Sequence, residues 1–217
     1  MLRIIPLQCR RGILFIQEDE QDVMNTQFVK IRSNIKPCPV MTLAALGLYT
    51  KEAALLSIPN FESSYGGFKN ALMKHCIDGK ASFHTTWKSL KENGWLKMIR
   101  MPLNHNQFCY RYELRTYPDT QTPQTQNLNA NESRKYLAKN LPLYSVPDGN
   151  YTAVSWSVLM DNRLTLAAQG LFILLRRELD LAKNVGIRVL KSNIIKKSCS
   201  GKFAFNSAWK LLKDMGY

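Results

Sequence analysis

Two periodicities alternate along this chain, and the alternation occurs twice. From Thr42 to about Leu56, apolar residues including Leu43, Leu46 and Ala54 return at helical spacing behind a threonine suited to cap a helix. A second helix is predicted over Phe68–Cys76. A third lies between Gly79 and Gly94, where Phe83, Trp87 and Leu90 fall at i, i+4 and i+7 and must share one inward face. Beyond Gly94 the period drops to two. Trp95–Met101 alternates, Asn104-His105-Asn106 turns, and Phe108–Leu114 returns, which predicts a β-hairpin. Ile13–Ile16 and Phe28–Ile31 read as short strands on either side of the acidic run Glu18–Asp22.

The second occurrence is recognisable residue by residue. Residues 79–95 (GKASFHTTWKSLKENGW) and 201–217 (GKFAFNSAWKLLKDMGY) share eight of seventeen positions. Upstream, Thr42–Lys51 (TLAALGLYTK) matches Thr165–Leu174 (TLAAQGLFIL), displaced by 123 residues instead of 122. One fold unit is therefore used twice. Val189–Lys197 is the predicted second helix of the second copy. Gly47 and Gly170 sit at the same place inside the first helix of each copy. An interior glycine costs roughly 1 kcal/mol relative to alanine, so close approach by another backbone is the expected reason for it. Gly94 and Gly216 read as the glycines that close the third helices.

Between the copies, Tyr117–Glu132 is polar and proline-containing, and reads as a flexible linker with a span of roughly 20–25 Å. The expected division is an N-terminal domain over 1–116 with its core at 28–116, a linker over 117–134, and a second domain over 135–217. A short helix and then a strand are expected to lead into copy two over 135–150. The second copy lacks a hairpin of its own and reads as C-terminally truncated, unless a strand such as Ile13–Ile16 fills that edge. Copy one is therefore expected to be the primary reader.

Charge changes the picture more than composition does. Lys and Arg number 30 against 16 Asp and Glu, a net +14 that attracts phosphate polymers or anionic lipid heads. The excess is concentrated in both copies of the second and third helices. Lys183–Lys213 carries eight basic residues and no acid, and Gly67–Arg100 carries seven against Asp78 and Glu92. The longest apolar stretch, Leu164–Leu175, is too short to cross a bilayer, so no membrane partner is expected. Arg10 and Arg11 interrupt the N-terminal apolar residues, against a secretory signal. Five widely spaced cysteines point to reduced thiols and a cytoplasmic location.

Three helices and a hairpin, with T-L-A-A-x-G-L ahead of a basic second helix and then W-K-x-L-K-[ED]-x-G-[WY], resemble winged helix-turn-helix proteins of bacterial plasmids, phages and conjugative elements. The resemblance spans about Phe28–Tyr117 and Tyr151–Tyr217. It implies an α+β, mostly helical fold of two tandem winged helix-turn-helix domains. It further implies binding of double-stranded DNA, with replication initiation or its control as the role and transcriptional regulation as the alternative. Small polar groups on a helix suit base edges, and longer cationic arms suit phosphates. The candidate contacts are Lys80, Ser82, His84, Thr85, Lys88 and Ser89 on the third helix, with Lys97, Arg100, His105 and Arg111 on the hairpin. Lys202, Asn206, Ser207 and Lys210 are their counterparts in copy two. Trp87 lies on the apolar stripe and reads as core.

On the outward face of copy two, Phe203 and Leu211 replace Ala81 and Ser89. Such a patch suits self-association or a replication partner protein, and it keeps a protein-interaction scaffold open as an alternative. No catalytic or metal-ligating constellation is visible. Gly79-Lys80 and Gly201-Lys202 lack the rest of a phosphate-binding loop, and His75-Cys76 has no spaced partner pair. Neither enzymatic activity nor a cofactor is expected.

Overall fold

A computed structural model describes residues 28–32, 41–57, 67–102, 107–139, 144, 146, 151–181 and 187–217. Ile13–Ile16 and His105 lie outside them. The fold is α+β. In chain order the elements are β1 (Phe28–Arg32), α1 (Leu43–Leu56), α2 (Gly67–Lys74), α3 (Lys80–Glu92), β2 (Leu96–Pro102), β3 (Phe108–Leu114), β4 (Thr125–Asn127) and α4 (Ala130–Ala138). They continue with β5 (Tyr151–Ser155), α5 (Trp156–Leu159), α6 (Leu166–Leu181), α7 (Ile187–Lys197) and α8 (Lys202–Asp214). No helix among the described residues is long and apolar enough to cross a membrane.

The copies pack on each other through their first helices. At the crossing of α1 and α6, a Cβ built on Gly47 would stand 1.9 Å from the Leu166 carbonyl oxygen, and one on Gly170 would stand 2.0 Å from that of Leu43. Only a glycine admits backbone this close, so the expectation drawn from the paired glycines is met. Two further contacts are reciprocal. The Leu166 N–H at the start of α6 donates to Asp78 Oδ2 of copy one (2.7 Å), and the Leu43 N–H at the start of α1 donates to Ser200 Oγ of copy two (2.9 Å). Thr42 and Thr165 each accept from the N–H three residues on, at 3.2 Å. Each first helix is thus capped partly by its own threonine and partly by the other copy.

β1 and β5 repeat the symmetry. They pair antiparallel, Phe28 opposite Ser155 and Arg32 opposite Tyr151, centred on Lys30 and Ala153. Those two residues are 123 apart, as are Gly47 and Gly170, so one approximate two-fold axis relates the strands, the crossing and the caps. The main core runs continuously through both copies, from Leu48 and Phe83 to Leu171 and Phe205.

This packing explains a departure from the expected one-sided helix. Twelve of the fourteen residues of α1 are buried, Lys51 and Glu52 included, because α6, α3, β1 and β3 enclose it from several sides. The polar segment after β3 also departs from expectation. Tyr117–Glu132 is not a simple flexible linker. β4 joins the hairpin as a parallel third strand on the edge of β2, and α4 begins at a capping box formed by Asn129 and Glu132. Arg115 and Gln124 both bond the Asp119 carbonyl, while the Asp119 N–H donates to the Gly94 carbonyl (3.1 Å). Backbone hydrogen bonds to a sheet edge order the segment without needing apolar side chains.

Candidate nucleic-acid interface

α3 turns Phe83, Trp87 and Leu90 into the core, together with Thr86. Trp87 is 6% exposed, covered by Tyr112, so it is a packing residue. On the outer side, Lys80, Ser82, Thr85 and Lys88 are exposed, with His84 and Ser89 half-buried at the margins. The Thr85 hydroxyl donates to the Ala81 carbonyl (3.0 Å), which leaves its methyl and acceptor lone pairs outward. Ser89 Oγ accepts from the Asn93 amide at 3.2 Å. Lys88 stands 3.6 Å from Glu92, with both side chains more than half exposed. So exposed a pair holds its ammonium only weakly, and a phosphate competes easily for it.

α8 repeats the arrangement. Phe205, Ala208 and Leu212 point inward, and Lys202, Asn206, Ser207 and Lys210 are exposed. Phe203 is 86% exposed. Leu211 is half-buried and packs against the core, so the expected two-residue apolar patch reduces to Phe203.

Both third helices start in the same unusual way. Their N-cap residues, Gly79 and Gly201, provide no side-chain cap and have ordinary negative φ values near −58° and −59°. A Cβ on either would meet nothing within 4 Å. Neither backbone conformation nor internal packing asks for glycine there. What the residue provides is bare access to the first N–H groups of the helix, next to Lys80 or Lys202, and those groups favour an anion.

The hairpin does not gather its candidate cations on one side. Strand alternation and the pairs Lys97–Glu113 and Ile99–Arg111 put Lys97 and Arg111 on the face covered by α4, where Ile99, Met101 and Cys109 pack with Leu128 and Tyr136. Arg111 lies over the Tyr136 ring (5.3 Å). Arg100 is on the opposite face, its guanidinium 3.5 Å from the centre of Phe108. The hairpin candidates Lys97, Arg100 and Arg111 are therefore divided between two faces, and with β4 and α4 added to the sheet those faces have different neighbours.

Some contributors gave no signal in the sequence. Asp78 and Ser200, which immediately precede the two N-cap glycines, fix each turn to the opposite copy. Lys69 and Lys191 lie over Trp87 and Trp209 at 5.3 and 4.8 Å, so each second helix is tied to the third by a cation above an indole. A scan against protein-family models gave no match, and searches of curated proteins and of solved structures found no similar chain.

Proposed function

We propose that this chain is a sequence-specific double-stranded DNA-binding protein of tandem winged-helix type, of the sort carried by bacterial mobile elements, acting in replication initiation or its control. The observation that carries this reading is the repeated face. α3 and α8 each turn small polar groups and lysines outward at equivalent positions, and reciprocal contacts hold the two helices about one approximate two-fold axis. B-DNA has local two-fold symmetry of its own, so two such helices fit half-sites in inverted orientation, centred about 34 Å apart when one helical turn separates them. The bare starts of both helices suit phosphates, which position, while Ser82 and Thr85 of α3 and Asn206 and Ser207 of α8 reach base edges, which specify.

The test is binding of the full chain to a labelled library of DNA from its source element, at two salt concentrations. A specific site that survives at higher salt, with two protected patches in inverted orientation, is the expected result. Binding that fades equally for every fragment rejects sequence-specific reading. Lys80→Ala and Lys88→Ala are expected to weaken binding to all sequences and each to lower the salt slope by about one. Thr85→Ala is expected to change sequence preference instead, and identical behaviour of all three variants rejects the assigned face. A protected site overlapping a promoter and not an origin turns the reading to transcriptional regulation. Phe203, exposed on α8, supports a second reading in which copy two contacts a protein; Phe203→Ser then lowers association and leaves DNA binding by copy one intact.

A further inference from the structure

Phe203, in the first turn of α8, is 86% exposed. Asn206 and Ser207 are exposed one turn further on, and Lys210 is exposed a turn beyond them. At spacings of three, four and seven residues these side chains share one stripe. Phe205, Ala208 and Leu212 occupy the inward face, so the stripe is turned away from the core. Copy one has different chemistry at the same places. The two helices run from matching starts to matching exit turns, where Gly94 and Gly216 have φ of +76° and +82°, so their positions compare one to one. Ala81 stands where Phe203 does and reaches no further than the helix surface. His84 stands where Asn206 does, but it is half-buried, with its ring 5.9 Å from that of Phe83.

The surroundings of Phe203 decide which partner it suits. The centre of a protein interface sets its aromatic anchors among further apolar surface and is poor in lysine. Here the neighbours on the stripe are an amide, a hydroxyl and a lysine, with Lys202 exposed beside them, while Leu211 is half-buried and packs against the core. A single apolar side chain in a polar, basic face matches the major groove, where thymine adds one methyl group to an edge otherwise made of donors and acceptors. An asparagine amide, donor and acceptor together, matches N6 and N7 of adenine. Three residues of helix rise are about 4.5 Å, a little over one base-pair step of about 3.4 Å. Phe203 and Asn206 therefore address neighbouring base pairs.

We propose that Phe203 and Asn206 make α8 the reader of an A·T step, with the Phe203 ring against the methyl group of a thymine and the Asn206 amide on an adjacent adenine, a preference that α3 lacks. The inference rests on the DNA-binding reading of α3 and α8, and it names the bases that one of them selects. To test it, a randomised duplex library is selected with the full chain and with its Phe203→Ser, Asn206→Ala and Thr85→Ala variants. The parent is expected to enrich a thymine beside an adenine in one of two half-sites. Phe203→Ser loses the thymine, Asn206→Ala loses the adenine, and Thr85→Ala changes the other half-site alone. The selected duplex is then remade with deoxyuridine for that thymine, which removes the methyl group and nothing else. The parent is expected to bind it roughly fourfold more weakly, and Phe203→Ser to bind both duplexes equally. An adenine analogue with carbon in place of N7 is expected to weaken the parent about tenfold and to leave Asn206→Ala unaffected. Full affinity of the parent for the deoxyuridine duplex, or an equal loss in Phe203→Ser, overturns the proposal and leaves sequence-specific binding in place. Enrichment of no sequence by the parent rejects the DNA-binding reading itself, and this inference with it. A Phe203→Ser chain that selects the parent's site unchanged, yet sediments as a smaller species than the parent, also overturns the proposal, by assigning the phenylalanine to a protein contact.

Discussion

The first helices of the two copies share a crossing but not a chemistry. Thr50, Lys51 and Glu52 of α1 are buried polar residues, while the same positions of α6 hold Ile173, Leu174 and Leu175. Lys51 donates to the His75 carbonyl just past α2 at 2.6 Å, so in copy one the first helix holds the second by a cation on the first. In copy two the direction is reversed. Lys197, which stands where His75 does, donates to Glu178 of α6 at 2.6 Å. Glu52 has no such partner among the described residues: both of its oxygens are buried and unbonded. What the repeat retains is geometry, in its paired glycines, reciprocal caps and exit turns. The means of tying one helix to the next have diverged.

The largest effect is expected where the copies are most alike. Gly47→Ala and Gly170→Ala each push a methyl group into a carbonyl of the facing helix. Backbone cannot step aside as a side-chain tip can, so each is expected to cost roughly 3 kcal/mol or more in urea unfolding. Because both substitutions act on one crossing, the double variant is expected to lose less than the sum. A harmless substitution at either glycine, with the other severe, would break the two-fold relation.

Next comes the difference itself, probed by moving a residue of copy two into copy one. Burial pushes the Glu52 carboxyl well above the usual carboxylate range. The folded protein then holds a proton that the unfolded chain gives up near pH 4.5, so Glu52 removes stability as pH rises from there toward its folded pKa. The slope approaches about 1.4 kcal/mol per pH unit for one proton. Glu52→Leu conserves volume approximately, and is expected to flatten this decline and to raise stability at pH 7. Thermal unfolding at pH 5, 6 and 7 checks it. Parallel decline in variant and parent would mean that Glu52 has a charge partner in the folded chain.

The same contrast separates what was legible in the sequence from what was not. Gly47 and Gly170 were legible because a glycine inside a helix is costly and needs a reason, and the repeat supplied the same anomaly twice. The inward face of α3 was legible from the spacing of Phe83, Trp87 and Leu90. Burial of Lys51 and Glu52 was not, since a lysine-glutamate pair on a helix ordinarily marks a solvated face, and only enclosure of α1 by both copies reverses it. The ordering of Tyr117–Glu132 was hidden for a related reason: its bonds are made by backbone to the edge of β2, which leaves little pattern in side chains. The hairpin was readable as a hairpin, but the sides its cations occupy depend on α4, whose docking the sequence did not announce.

The smallest expected effects bear on the caps, and they sharpen the comparison because the reciprocal contacts are chemically unequal. Asp78 gives the start of α6 a carboxylate oxygen at 2.7 Å, whereas Ser200 gives the start of α1 a hydroxyl at 2.9 Å. A carboxylate adds attraction to the positive end of the helix to its hydrogen bond. Asp78→Ala is therefore expected to cost about 1–2 kcal/mol and Ser200→Ala about 0.5–1 kcal/mol. Asp78→Asn keeps an acceptor and is expected to fall between Asp78→Ala and the parent chain; equality with alanine would assign the contact to charge alone. The unequal caps also predict unequal loosening. Each cap ties the turn before one outward-facing helix to the first helix of the other copy, so losing Asp78 frees α3 more than losing Ser200 frees α8. Hydrogen exchange reads this directly: amides at the start of α3 and of α6 are expected to exchange faster in Asp78→Ala, with those of α8 unchanged. If exchange rises equally in both third helices, the two turns move as one unit across the two-fold axis, and the remaining Ser200 contact does not hold them by itself.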